Sequence, residues 1–457
     1  MSNDLSHADL AMTLRRPPGP ADDQAEAVAH QLMDNPLTLF DAITRDYGEI
    51  AFLPGVNIYA VTDPELVQKI ILDDAGNFSK NPEVMDKISP AIGKGLSTLI
   101  GPQWKKHRRM ANPVFTRLSV STFFDIFRQS IGETMADWDQ QSGSEVDVTE
   151  EMKRLTLRIV IRCLFSTDID AFSKEIIKNL ELLQLYSVYR LWSPVQQAED
   201  ENDPRIKAFY AARQFMEEMI DGIIRQRRNT PKAGRPDLLS LLMDARDPET
   251  GEGLEDEKIR HEVMNMFLAG HETTANAVAF GFYLLASNPE FADRLRAELD
   301  PVAIETLDFT GLFALDLNDR AFRESLRLFP SSWAMSRICL KDYVFKDYLI
   351  PKGADLIIAQ WCMHRSERLW ENASAFDPDR FLPDRFAKIH KFAYIPFGAG
   401  GRKCIGMHLA ESEGRMILAM LARSYTFHVT ENTRLNLRAR LFMTSDPGVR
   451  LRVEKRP

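Results

Sequence analysis

From about residue 100 to residue 330, apolar side chains recur at the i, i+3, i+4 spacing of helices with one buried face. The clearest run is 261–287, where Val263, Met266, Phe267, Gly270, Thr274, Ala277 and Val278 share a face and predict one long helix. A second stripe, Ile405, Leu409, Met416, Ile417, Met420 and Leu421, predicts a helix at about 405–422. Strand patterns are fewer. Residues 49–61 predict a hairpin, Ile50-Ala51-Phe52-Leu53 and Ile58-Tyr59-Ala60-Val61 around a Pro54-Gly55 turn. Residues 335–360 turn β-like again, with Tyr343-Val344-Phe345 and Leu356-Ile357-Ile358 separated by a Pro351-Lys352-Gly353 turn. Residues 364–403 carry no period, and the chain from Tyr425 reads as short strands. Gly and Pro near 230–236 and 247–253 mark surface loops. Residues 1–20 read as a flexible leader with a Pro-rich hinge, Pro17-Pro18-Gly19-Pro20, where ring-fixed backbone forbids regular structure. With no internal repeat, the predicted fold is mainly α with a minor β portion, a single large helical domain over 21–457.

Composition narrows the function. The 457 residues are 44% hydrophobic and 27% charged, as in ordinary globular proteins. The net charge of -9 argues against general nucleic-acid binding, which needs a basic excess. No run approaches the roughly 18 apolar residues that span a bilayer. The polar, acidic N-terminus lacks the basic start and apolar core of a secretory signal, so no membrane anchor and a cytoplasmic location are expected. Cys163, Cys339, Cys362 and Cys404 are far apart, which disfavours a disulfide framework or a tetrahedral zinc site.

Cys404 stands apart from the other three. It follows Arg402 by two positions, lies among Gly398, Gly400, Gly401 and Gly406, and directly precedes an apolar helical stripe. Thiolates are stabilised at helix N-termini, and glycines let backbone approach a large flat ligand. One reading is an inert buried cysteine in a glycine-rich turn. The other is an axial ligand to haem iron, a pairing whose electron donation favours O–O cleavage. Within the long predicted helix stands Ala269-Gly270-His271-Glu272-Thr273-Thr274. Thr273 is placed to bond back to the Ala269 carbonyl and bend the helix, and an acid inside an apolar helix needs a partner. The alternative is a structural kink with Glu272 reaching the surface or an Arg. Glu324 and Arg327 are three apart on one helical face, a common arrangement by itself.

Phe397, Gly400, Arg402, Cys404 and Gly406 match every position of the haem-binding signature FxxGxRxCxG of the cytochrome P450 family. The resemblance extends from about residue 17 to 450 through three further motifs in order. It implies the cytochrome P450 fold, haem b held by Cys404, and insertion of one oxygen atom from dioxygen into a substrate. It makes Thr273 the residue that positions the distal oxygen and Glu272 the one that helps deliver protons. His271 is assigned to structure or the proton path. Glu324, Arg327 and Arg380, the last in Phe376-Asp377-Pro378-Asp379-Arg380-Phe381, are implied to form a buried charge network behind the haem. Trp104 and Arg108, which resemble the family's WxxxR helix, join Arg337 and Arg402 as implied propionate partners.

The chain after Gly406 is too short for a flavin reductase, so a separate ferredoxin or flavodoxin with its own reductase is the expected electron donor. Lys105, Lys106 and Arg109, with Lys388, Lys391 and Lys403, form either a solvated basic face or a docking patch for that donor. The absence of an anchor resembles soluble bacterial members, whereas the proline hinge resembles the membrane-anchored branch. By family analogy the substrate pocket includes Met85, Ile88, Ala269, Trp333, Met335 and Phe442, with Leu96, Tyr186, Tyr189, Trp192, Ala277 and Leu441 nearby. This apolar set implies a lipophilic small molecule: fatty acid, terpenoid or steroid. Two alternatives use the same fold: a peroxide-driven or rearranging or dehydrating haem enzyme, and a non-catalytic haem sensor.

Overall fold

The computed structural model describes residues 14–73, 76–167, 173–192, 202–229 and 237–457, apart from the side chains of Trp192 and Glu305. The loop expected at 230–236 and the first thirteen positions of the leader lie outside the described residues. The chain forms two compact units, each assembled from three stretches. One comprises Met1–Pro82, Ser332–Ala375 and Phe386–Cys404; the other comprises Glu83–Ser331, Phe376–Arg385 and Ile405–Pro457.

The first unit is built on a five-stranded sheet. Its order is Ile50–Leu53, Ile58–Val61, Asp355–Ile358, Met335–Cys339 and Phe78–Ser79. The predicted hairpin pairs antiparallel with Ile50 opposite Val61, and both its strands are buried throughout. Both β-like stretches expected within 335–360 are strands, but they join different sheets. Tyr343–Phe345 pairs with Tyr348–Ile350, turning at Lys346 (φ 52°), while Asp355–Ile358 joins the large sheet parallel to Ile58–Val61. A parallel partner almost 300 residues away leaves no local pattern to read. Tyr59, Val61, Leu66, Ile70, Phe78 and Leu356 make the core between this sheet and the helix Pro64–Leu72. That helix is capped by Asp63, which accepts from the N–H groups of Glu65 and Leu66 at 2.9 and 3.0 Å.

Residues 14–20 are tied down, so the expected flexible leader does not extend over them. Ile50–Leu53 is an edge strand with an unpaired outer side, and Phe52 N–H donates to the Pro18 carbonyl at 2.8 Å. Arg15 bridges to Tyr348, and Gly19 passes so close to the Phe52 carbonyl that no side chain fits there.

The second unit is mainly helical. The single helix expected over 261–287 begins earlier and is interrupted: Asp256–Gly270 and Glu272–Ser287 meet at His271. Packed with them are Val148–Phe165, Asp316–Leu328 and Met407–Ser424; the last begins two residues later than its apolar stripe suggested. Ser325 Oγ donates to the Ala277 carbonyl at 2.8 Å and Asn318 Nδ2 to the Arg415 carbonyl at 3.0 Å, tying these helices by polar contacts as well as packing. Gly414 allows close approach, since a Cβ there would lie 2.5 Å from the Phe322 ring. Tyr425–His428, Arg450–Lys455 and Glu145–Asp147 form a small antiparallel sheet, and Leu437–Ala439 pairs with Met443–Ser445. Among the described residues, no helix is long and apolar enough to cross a membrane.

Candidate active site

In the first unit, the chain folds back on itself before Cys404. Gly398 N–H donates to the Ile395 carbonyl at 2.9 Å, and Cys404 N–H donates to the Phe397 carbonyl at 2.8 Å, closing the loop between them. Gly398 (φ 66°) and Gly400 (φ 64°) occupy the left-handed region that other residues enter at a cost. A Cβ at Gly400 would also lie 2.7 Å from the Ile71 carbonyl oxygen. Gln360 Nε2 holds the Ile395 carbonyl at 2.6 Å from behind. Cys404 is exposed, whereas Cys163, Cys339 and Cys362 are buried and burial pushes their thiols up. These three stay neutral, as expected of small core residues.

The same unit brings Met335 to the cysteine loop, its sulfur 3.4 Å from where a Gly398 Cβ would lie. Arg337 follows on the same strand; it is buried, and its Nη1 donates to the Ser336 carbonyl at 2.8 Å. Trp333 is fixed by its carbonyl, which accepts from Trp361 N–H at 2.9 Å, and its ring lies 6.0 Å from that of Phe40. Arg402 is partly exposed in the turn Gly400–Arg402.

In the second unit, the helix break has the geometry its composition suggested. Thr273 Oγ1 donates to the Ala269 carbonyl at 2.6 Å, taking the acceptor that the interrupted helix would otherwise use. The imidazole of His271 is buried and its Nδ1 donates to the Phe267 carbonyl at 3.1 Å. Burial lowers its pKa to about 4, so the ring is neutral and carries no charge at neutral pH. Ala269 is exposed and Thr273 partly so, whereas Leu268, His271, Glu272 and Thr274 are buried. One side of the break is therefore open and the other packed. Glu272 lies on the packed side; its Oε2 has no hydrogen-bond partner, and burial pushes its carboxyl above the ordinary range. The Lys153 ammonium opposes that shift, as do Gln184, Arg440 and Asn276.

The charge network is present in this unit. Arg327 donates to both oxygens of Glu324, from Nε and Nη2, each at 2.7 Å. Arg380 Nε reaches Glu324 Oε1 at 3.0 Å and Asp377 N–H reaches it at 2.9 Å. All three side chains are buried, a carboxylate held between two guanidiniums. Trp104 and Arg108 share one face of the helix Gly101–Ala111, Trp104 buried and Arg108 partly so. Of the basic residues beside them, Arg109 is not free: it donates to both oxygens of the buried Asp247 at 3.1 Å, closing the loop at 247–253, and Lys106 pairs with Glu252. Met85 and Ile88 are buried on the helix Pro82–Ile92, and Phe442 is partly exposed in the turn before Met443–Ser445.

Sequence reasoning missed several supporting contacts. His107 Nδ1 meets Glu262 Oε1 at 2.6 Å in the core, and Glu262 also accepts from Leu96 N–H at 3.1 Å, fixing the chain that follows Met85 and Ile88. Lys153, Gln184 and Glu413 were missed as well. Lys153 lies three positions after Glu150 and reads locally as half of a surface pair.

This chain belongs to the cytochrome P450 family: the family model for Cytochrome P450 matches residues 27–453. It is 30% identical to cyclooctatin synthase of Streptomyces melanosporofaciens over 85% of each chain. It is 31% identical to cyclooctat-9-en-7-ol 5-monooxygenase of the same organism over 82% of each. Its fold is similar to the heme domain of cytochrome P450DA, with a TM-score of 0.88 and 28% identity over 97% of this chain and 98% of that one. The protein is a haem-binding oxidoreductase of the monooxygenase class. Within the first unit the residues fit the cofactor's iron and propionates, with an exposed thiol on a glycine-held loop and guanidiniums at Arg337 and Arg402; within the second, taken by itself, Arg108 and the helix break open at Ala269 and Thr273 have the chemistry such a group needs.

Proposed function

We propose that the protein inserts one atom of dioxygen into a lipophilic cyclic hydrocarbon or alcohol of the terpenoid class. The observation that carries this reading is the helix break, with Thr273 bonded to the Ala269 carbonyl, an open face at Ala269, and Glu272 buried beside it. The names of the Streptomyces relatives support the terpenoid class, and the apolar character of Met85, Ile88, Ala269, Trp333, Met335 and Phe442 supports a lipophilic substrate.

Bound as haem b, the cofactor would supply oxygen activation and the oxidising power. Cys404 holds the iron through its thiolate, with Phe397 and Gly406 flanking it on the loop. Arg108, Arg337 and Arg402 would neutralise the propionates by charge, and Trp104 would donate its indole N–H to one of them. Thr273 orients oxygen through its hydroxyl, whose own hydrogen is committed to the Ala269 carbonyl, leaving its lone pairs to accept. Glu272, raised by burial, holds a proton it can give up. Glu324, Arg327 and Arg380 keep the segment around Asp377 in place and take no part in chemistry. Electrons come from a separate ferredoxin or flavodoxin with its reductase. Lys388 and Lys391, both exposed, and Lys403 suit that acidic donor better than Lys106 and Arg109, which are already paired. Three buried, free thiols fit a reducing, cytoplasmic setting.

Turnover of a panel of cyclic terpenes, fatty acids and steroids under ¹⁸O₂ with a surrogate ferredoxin pair tests the reading. A terpenoid product should carry one labelled oxygen, Glu272→Gln should lower kcat roughly 10²-fold, and Thr273→Ala should release more peroxide per electron. Unlabelled product, or unchanged coupling in Thr273→Ala, would overturn it.

A further inference from the structure

One face of the helix Val148–Phe165 runs from solvent to the helix break. Glu150, Lys153, Thr156 and Val160 share it by helical spacing. At its buried end, Thr156 Oγ1 donates to the His271 carbonyl at 2.9 Å, and the Cβ that Gly270 lacks would lie 3.2 Å from Val160. The face is thus docked on the two residues that precede Glu272. At its outer end, Lys153 Nζ donates to Glu150 Oε1 at 3.1 Å and to Glu181 Oε1 at 3.3 Å. The lysine side chain is 11% exposed, whereas these carboxylates are 44% and 46% exposed. Glu181 belongs to the helix Ser173–Trp192, which also carries Gln184 one turn on; Gln184 is buried, and its Nε2 lacks a hydrogen-bond partner, as does Glu272 Oε2.

Lys153 is a buried ammonium held by two half-exposed carboxylates, one helical turn before the Thr156 that bonds the carbonyl of the residue preceding Glu272. We propose that Lys153 is a positioning residue for the reaction: it sets the pH range over which Glu272 holds and releases its proton, and Glu150 and Glu181 adjust its strength from the solvent side. The inference builds on the reading of Glu272 as the acid of the site.

The charges facing Glu272 fix the signs. Burial pulls the Lys153 ammonium down, but Glu150, Glu272 and Glu181 outweigh it, so the lysine stays charged. Lys153 and Arg440 favour the ionised carboxylate by their charge, and the amide side chains of Gln184 and Asn276 beside it act in the same direction. Asn276, on the same helix as Glu272, is itself tied to the strand Met443–Ser445, its Nδ2 donating to the Met443 carbonyl at 3.0 Å. His271 is neutral above pH about 4, and Glu413 on the helix Met407–Ser424 is kept neutral by burial, so neither competes. Removing the Lys153 charge therefore raises the Glu272 pKa. Removing Glu181 leaves Lys153 less neutralised and lowers it.

Infrared difference spectroscopy of the holoenzyme reads this directly. The protonated carboxyl band that disappears in Glu272→Gln is titrated in each variant. Its midpoint should rise by about one pH unit in Lys153→Met, return in Lys153→Arg, and fall in Glu181→Gln. The last variant changes a half-exposed side chain and keeps the test open if Lys153→Met does not fold. A midpoint unmoved in the folded variants, or moved in the same direction by both charge removals, overturns the proposal. If the midpoint shifts as stated while peroxide release keeps its wild-type pH profile, Lys153 tunes Glu272 and the assignment of Glu272 as proton donor fails instead.

Discussion

Gly400 and Glu413 illustrate what single residues disclose and conceal. The glycines before Cys404 were legible because their requirement is local: a left-handed backbone at Gly398 and Gly400, and an Ile71 carbonyl where a Gly400 side chain would be. Thr273 was legible for the same reason, its bond to Ala269 spanning one helical turn. Glu413 was not. It sits in an apolar helical stripe as an ordinary acid, yet it is buried, its Oε1 has no hydrogen-bond partner, and burial pushes its carboxyl well above 4.5. A carboxyl raised in the folded state costs stability once the pH passes its unfolded value, because the unfolded chain ionises while the folded one cannot. The stability gain of Glu413→Gln over wild type should therefore be smallest near pH 4. It should grow by about 1.4 kcal/mol per pH unit above the unfolded value until the folded pKa is reached, as followed by urea unfolding across pH. A pH-independent difference would show that Glu413 is ionised in the fold.

At the scale of elements, helical and strand periods marked most segments and Thr273 marked a bend, but the full break at His271 and the long-range pairings left no local period to read. The helix predicted as one piece is two: Thr273 captures the Ala269 carbonyl, and Thr156, from another helix, adds a second bond to the His271 carbonyl, which also accepts from Ala275 N–H. The strand Asp355–Ile358 was found, but its place parallel to Ile58–Val61 was not, since pairing partners leave no trace in local alternation. The clamp on Glu324 shows a motif that gains meaning only in three dimensions. Glu324 and Arg327 share a helix, and Arg380 with the Asp377 N–H ties the turn Pro378–Phe381 to it. Because all three side chains are buried, Glu324→Ala would strand two guanidiniums. It should lower unfolding free energy by about 3–5 kcal/mol, measured by denaturant titration. A loss below 1 kcal/mol, within the range of about 0–1 kcal/mol for exposed pairs, would mean the network behaves as a surface pair.

For the molecule as a whole, the sequence placed the chain in its family through short motifs whose chemistry is carried within a few residues. It did not reveal that those motifs belong to two compact units interleaved along the chain, with Cys404 at the last residue of one and Glu272 and Thr273 in the other. Nor did it reveal the ties that fix each unit, such as Pro18 on the edge strand or Asp247 on Arg109. The family is established by the match over residues 27–453; the central claim that remains for experiment is that Cys404 supplies the iron's thiolate. The absorption spectrum of the dithionite-reduced, carbon monoxide-bound protein tests it most directly. A strongly red-shifted Soret band is expected in the wild type, and its loss in a haem-loaded Cys404→Ser variant. A wild-type band at the position given by histidine ligation, or an undiminished red-shifted band in Cys404→Ser, would contradict it.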